Sequence, residues 1–156
     1  MSKIAKYIVR ILKKKKMKLS IAESCTGGLA SNMIVSISGA SKIFELGLVT
    51  YSNKSKINIL KVPKKIIKIH GSVSKQCCYL MAKNIKKKTN SDIALSVTGI
   101  AGPTGGTKKK PVGLVFIGII FKKKFLIKKM LIKKKTRLLF QKTVAIEALN
   151  LIARFI

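Results

Sequence analysis

The chain has 156 residues, enough for one domain with a core of its own, and 47% of them are apolar, which excludes a wholly disordered protein. Its formal net charge is +30, yet all but three of the 34 basic residues are lysine. Nucleic-acid readers rely on arginine for bidentate and stacking contacts, so the excess is read as compositional drift that favours anionic small molecules. No apolar run reaches the roughly 18–20 residues of a membrane span, and the basic start MSKIAKYIVRILKKKKMKL lacks the apolar centre of a secretory signal. A soluble cytoplasmic protein is the expectation.

In chain order, Ile4, Ile8, Ile11 and Leu12 recur at helical spacing over residues 3–15. Residues 18–23 form a short apolar strand that runs into Ser24-Cys25-Thr26-Gly27-Gly28. Leu29, Met33, Ile34 and Ile37 then define a helix that stops near Ser38-Gly39. Residues 46–51 read as a second strand, and Ser52 can cap a helix that ends before Val62-Pro63. A short turn or helix over 64–70 closes at Gly71. Ser74 caps the next helix, with Cys77, Cys78, Met81 and Ile85 as its buried stripe. Residues 93–97 are a third strand, flowing into TGIAGPTGGTKKKP, a loop with four glycines and two prolines. Residues 111–121 and 125–132 read as a hairpin around Lys122–Lys124. Apolar residues at 138, 139, 146, 149, 152 and 156 mark a long closing helix. Strands alternating with helices and ending in one hairpin predict an α/β three-layer sandwich with a mixed, mainly parallel sheet, as a single domain over 1–156.

Three polar loops (23–28, 51–56 and 98–107) follow the three strands, and in α/β folds strand ends gather at one edge where ligands bind. In the first loop Ser24 is the candidate nucleophile, and the amides of Thr26, Gly27 and Gly28 are available to an anion or oxyanion. The plain alternative is that Ser24 or Thr26 caps the following helix. Cys25 is a rival nucleophile, but a thiol needs a base, and the sole histidine, His70, precedes a glycine in the manner of a helix-end residue. Cys25 therefore reads as an apolar-facing helix-start residue and His70 as structural. A Ser-His-Asp triad is poorly supplied, Asp92 being the only aspartate.

Lys56 of YSNKSK, five residues beyond Tyr51, is the better proton acceptor, because burial or nearby positive charge lowers a lysine pKa. Tyr51 could relay a proton or hold the nucleophile. Against this, Lys56 is one lysine among many. Thr98, Gly99 and the glycines that follow offer hydroxyls and bare amides to a ribose or phosphate, without a Walker or GxGxxG pattern. Lys133, Lys134, Lys135 and Arg137 crowd the start of the last helix, where the macrodipole disfavours cations; a bound anion would relieve the conflict, and Arg137 is the residue singled out. One histidine, four acidic residues and three cysteines without a Cys-x-x-Cys pair leave a metal site and a disulfide framework unsupplied. Neither a metal nor a cofactor is expected.

AESCTGG, SGAS, FELGLVTYSNKSK, HGSVS and SVTGIAGPTGGTKKKPVG, in this order, resemble the nicotinamide-nucleotide amidase family, the C-terminal domain of the competence-damage-inducible CinA proteins. The likeness runs from about residue 5 to the C-terminus. It implies hydrolysis of nicotinamide mononucleotide to nicotinate mononucleotide and ammonia in pyridine nucleotide recycling, without a metal, by a homodimer. The family's nucleophilic serine falls on Ser24, and its catalytic tyrosine and lysine fall on Tyr51 and Lys56. Its substrate-contacting positions fall on Gly39 and Ser41 of SGAS, on Thr98 and on Arg137. The family often has Gly-Asp-Arg where this chain has Lys135-Thr136-Arg137, an arginine where Gln141 stands, and FERG where FELG places Leu46; these departures bear on substrate affinity more than on the reacting groups. The implied partner is a small-molecule nucleotide, with no membrane. A silent nucleotide-binding module of the same fold and a basic nucleic-acid binder are the rival readings.

Overall fold

The structure, a computed structural model, describes residues 2–132 and 136–156. Lys133, Lys134 and Lys135, part of the basic cluster expected to attract an anion, lie outside the described residues. Five strands, β1 (Leu19–Glu23), β2 (Phe44–Val49), β3 (Ile93–Gly99), β4 (Leu114–Phe121) and β5 (Lys124–Leu131), form one sheet in the order β2-β1-β3-β4-β5. The first three run parallel, and β4 and β5 complete the sheet as an antiparallel hairpin. Among the described residues six α-helices accompany them: α1 (Lys3–Lys14), α2 (Leu29–Val35), α3 (Asn53–Asn58), α4 (Lys64–His70), α5 (Lys75–Thr89) and α6 (Arg137–Phe155).

Successive side chains of a strand point to opposite faces, so β1 and β3 feed two cores. Leu19, Ile21, Ile93, Leu95 and Val97 pack in one cluster with buried residues of α1, α2 and α6. Ala22 and Ala94 belong to the other cluster, where their small side chains admit Cys77, Met81 and Ile85 of α5. The result is the α/β three-layer sandwich predicted by the sequence pattern. Burial pushes the Cys77 thiol up to about 11 and the Cys78 thiol up to about 12, so both sulfurs act as packing atoms. No helix among the described residues is long and apolar enough to cross a membrane.

Several element boundaries differ from the sequence reading. Strand β2 begins two residues earlier than expected and ends at Val49, because a 3-10 turn at Ala40–Lys42 hands the chain directly to the sheet, where the Leu19 amide donates to the Ile43 carbonyl at 2.7 Å. Thr50 and Tyr51 therefore belong to the loop beyond the strand. The buried face of α1 is Ala5, Ile8, Val9 and Leu12, so Ile4 and Ile11 sit at its margin. The largest correction concerns α6. Its buried face is Phe140, Val144, Ala145, Ala148, Leu149, Leu151 and Ile152, whereas Leu138, Leu139 and Ile146 are 55%, 48% and 42% exposed. Ala145 and Ala148 let the helix lie close to its neighbours, and that face, which keeps Leu149 and Ile152 of the expected stripe, is buried in place of Leu138, Leu139 and Ile146.

Parallel pairing has one consequence for function. The C-terminal ends of β1, β2 and β3, at Glu23, Val49 and Gly99, all lie along the same edge of the sheet. Three loops converge there.

Candidate active site

Ser24 follows β1 directly, and Thr50 and Tyr51 follow β2. The Ser52 hydroxyl caps α3 by accepting from the Ser55 amide at 3.0 Å, and the Ser55 hydroxyl returns the contact to the Ser52 amide at 3.1 Å. This reciprocal cap fixes where α3 starts, and so places Lys56, one turn in, beneath the strand ends. In a chain covered with lysines Lys56 is 1% exposed. Its Nζ lies 2.8 Å from Ser24 Oγ, 2.6 Å from the Thr50 carbonyl and 3.4 Å from the Tyr51 carbonyl.

Burial holds the Lys56 amine below the usual lysine range. A neutral amine has two N–H donors and one lone pair. As the ammonium, Nζ donates to all three oxygens; with one proton lost it keeps two donors for the carbonyls and turns its lone pair to the Ser24 hydroxyl, the form in which lysine can act as a base.

Ser24 and Lys56 open onto a cleft of about 290 Å³, which Cys25, Tyr51, Thr98 and Arg137 also line. The Thr98 hydroxyl donates to the Ser72 carbonyl at 2.9 Å, which fixes the opposite wall. From the first turn of α6, Arg137 Nη1 donates to the Gly102 carbonyl at 2.8 Å and Nη2 donates to the Tyr51 phenol oxygen. One guanidinium therefore ties the glycine-rich loop to the loop after β2.

The family description CinA C-terminal domain matches residues 1–156. The chain belongs to the CinA C-terminal domain family. A CinA-like protein of Dictyoglomus thermophilum is 52% identical over 116 residues, 74% of this chain. Another, from Thermotoga maritima, is 50% identical over 117 residues, 75% of this chain. The chain spans 28–36% of the length of the curated relatives it matches. Among solved structures, the competence/damage inducible protein CihA from Agrobacterium tumefaciens superposes with a TM-score of 0.94 at 32% identity, covering 97% of this chain and 92% of that one. The competence damage-inducible protein A from Klebsiella pneumoniae superposes with a TM-score of 0.93 at 28% identity, covering 97% and 93%.

In this CinA domain the cleft gathers Ser24, Tyr51, Lys56, Thr98, Gly99 and Arg137, all six marked in the sequence. It does not gather Gly39 and Ser41, which line a separate depression with Val35 and Phe44. Ser24 precedes α2 and the SGAS turn follows it, so a helix of roughly 10 Å separates them. Thr26 is also displaced from the role expected of it. Its side chain is 1% exposed and does not line the cleft, and its Oγ1 has no hydrogen-bond partner among the described residues.

The twin glycines need a second correction. Their left-handed backbone, φ 63° at Gly27 and 100° at Gly28, is what turns the chain from strand into helix. Their amides are already engaged, however. The Gly27 amide donates to the Ser24 carbonyl at 3.1 Å, and the Gly28 amide donates to Glu23 Oε2 at 3.1 Å. Glu23 also accepts from the Ala30 amide at 3.1 Å, the Ser31 amide at 2.8 Å and the Ser31 hydroxyl at 2.6 Å. A buried carboxylate thus occupies the positive end of α2 that the sequence reading left open to a ligand. On the cleft wall, the amide of Cys25, the residue after the nucleophile, is one of several without a main-chain partner among the described residues.

Glu23 went unassigned in the sequence although its signal was present: an acid directly ahead of a glycine-rich helix start. Ser72 and Val73 on the opposite wall were also missed. The remaining candidates take structural places. Burial pushes the Cys25 thiol up to about 12, which keeps it protonated. The His70 carbonyl accepts from Lys110 Nζ, and His70 does not line the cleft. Tyr51 is 58% exposed, and its phenol meets Arg137, so what Tyr51 presents to Lys56 is its main-chain carbonyl. All four acidic side chains have partners: Glu23 holds α2, Glu45 faces Lys18, Asp92 accepts from the Lys18 amide and Glu147 pairs with Lys128.

Proposed function

We propose that this domain is an amidohydrolase that converts nicotinamide mononucleotide to nicotinate mononucleotide and ammonia. The observation that carries the reading is the buried 2.8 Å contact between Lys56 Nζ and Ser24 Oγ, made by an amine with its pKa lowered by burial. Ser24 Oγ attacks the carboxamide carbon while its proton passes to Lys56. Lys56 then protonates the departing nitrogen, and ammonia leaves behind an ester on Ser24. Water, deprotonated by the same amine, cleaves that ester to give the acid and restore the serine. The Cys25 amide is the donor for the oxyanion, an effect worth about 3–4 kcal/mol per donor. A cleft of about 290 Å³ sits at the small end of ligand pockets and suits one nucleotide. Arg137 and Thr98 line the same cleft as Ser24 and are the groups we assign to ribose and phosphate.

The test is direct. Purified protein incubated with nicotinamide mononucleotide releases ammonia and the matching acid in equal amounts, and Ser24→Ala releases neither. Binding of the mononucleotide without ammonia release would instead make the domain a silent nucleotide-binding module.

The pH dependence has a definite sign. The neutral amine is the base, so kcat/KM rises with pH as Lys56 loses its proton, and this acid limb lies below the usual lysine range because burial lowers the pKa. A profile flat from pH 5 to 10 would remove Lys56 from the proton transfer.

A further inference from the structure

The turn that carries Ser24 has two glycines and so few side chains with which to hold itself. It is held from two sides. Glu23 grips the start of α2 from the sheet side. From α6, Gln141 Nε2 donates to the Cys25 carbonyl at 3.0 Å. The amide nitrogen also lies over the turn, 3.8 Å from where a Cβ on Gly27 would stand. Gln141 is four residues beyond Arg137 and so shares its face of the helix. Its neighbours Phe140 and Val144 are buried in the core at 1% and 0% exposure, which gives the side chain a rigid base.

We propose that Gln141 is a positioning residue for the nucleophile, holding the carbonyl of Cys25, the residue after Ser24, so that Oγ stays on the Lys56 amine. The physical argument is one of rotation. The plane of the Cys25–Thr26 peptide can turn about the single bonds at the Cys25 and Thr26 α-carbons, and its only described hydrogen bond at the carbonyl is to Gln141. Fixing that carbonyl restrains the Cys25 backbone, and together with the Gly27 amide on the Ser24 carbonyl it limits how far Ser24 and the Cys25 amide can turn. A displacement near 1 Å between reacting groups is enough to slow a reaction by about 10²-fold, whereas one partly exposed hydrogen bond adds little to global stability. Gln141 should therefore govern Ser24 reactivity far more than folding. The inference rests on the serine–lysine reading but not on which amide is hydrolysed.

The test uses the intact chain and a probe that ignores substrate identity: the second-order rate at which a small fluorophosphonate labels Ser24, followed by intact mass with Ser24→Ala as the blank. Gln141→Met keeps the unbranched shape and removes the donor; labelling is expected to slow at least tenfold with the melting temperature within about 2 °C of wild type. Gln141→Arg places Nε–H at the same number of bonds from the backbone and is expected to label within about threefold of wild type. Where turnover is measured, Gln141→Met lowers kcat with KM changed less than twofold. Labelling of Gln141→Met at the wild-type rate overturns the proposal. So does a loss that tracks a fall in melting temperature, a Gln141→Arg variant as slow as Gln141→Met, or a wild-type Ser24 that does not label. Labelling without ammonia release from nicotinamide mononucleotide would count against the substrate alone.

Discussion

Lys56→Met is expected to lower turnover of nicotinamide mononucleotide by about 10²–10⁴-fold, the usual contribution of a positioned general base, while making the fold more stable at mildly acidic pH. The two effects share one cause. In the folded protein burial lowers the Lys56 pKa, whereas in the unfolded chain the amine keeps its ordinary value. Between those two values the folded state binds fewer protons than the unfolded state, so this residue makes stability rise with pH across that window. Below the folded value the cost of burying the amine is fully present; above the ordinary lysine value it has gone. Methionine fills similar space without any charge to bury. Thermal unfolding of wild type and Lys56→Met from pH 5 to 10 should therefore show the variant ahead at the acid end and the gap closing as pH rises. A variant that retains turnover, or a gap that widens with pH, contradicts the assignment. Placing an ionisable group where its charge is disfavoured gives up stability in return for a base that is uncharged below the usual lysine range.

How far the sequence disclosed this site depends on the kind of feature. Strand and helix periodicity located the three loops, and parallel pairing brought them together, because both follow from side-chain spacing alone. Ser52 marked the start of α3, which fixed the position of Lys56 relative to the strand ends, while the reciprocal contact from Ser55 emerged only in the structure. What composition hid was the burial of Lys56, since nothing local distinguishes it from Lys54 two residues away in the same YSNKSK stretch; only the Thr50 and Tyr51 carbonyls and the roof formed by neighbouring elements do so. Helix α6 misled for another reason. It carries leucines on its exposed face and alanines in its contact face, so apolar size pointed one way and close packing the other. The Tyr51 phenol and Arg137 were each assigned a separate task, and their contact joins residues 86 positions apart, a pairing no spacing rule contains.

Glu23→Ala is expected to be the most damaging single change to stability near the site. The carboxylate is fully buried and accepts three main-chain amides and one hydroxyl, with distances from 2.6 to 3.1 Å. Alanine leaves the first turn of α2 with unpaired buried donors, each costing about 1–3 kcal/mol, for a combined loss of about 3–5 kcal/mol after water and local relaxation recover part. For a chain of this size that corresponds to a melting temperature lower by about 10 °C. Glu23→Gln keeps the shape and one acceptor oxygen but turns an NH2 group toward donors, so an intermediate loss is expected. Function should suffer separately. Glu23 is adjacent to Ser24 and anchors the helix that follows, so at a temperature where Glu23→Gln remains folded its Ser24 labelling should still be slower than wild type. Equal stability of Glu23→Ala and wild type in urea would mean that the α2 amides find other partners at no cost, and the buried carboxylate would then lose its place as the anchor of the nucleophile turn.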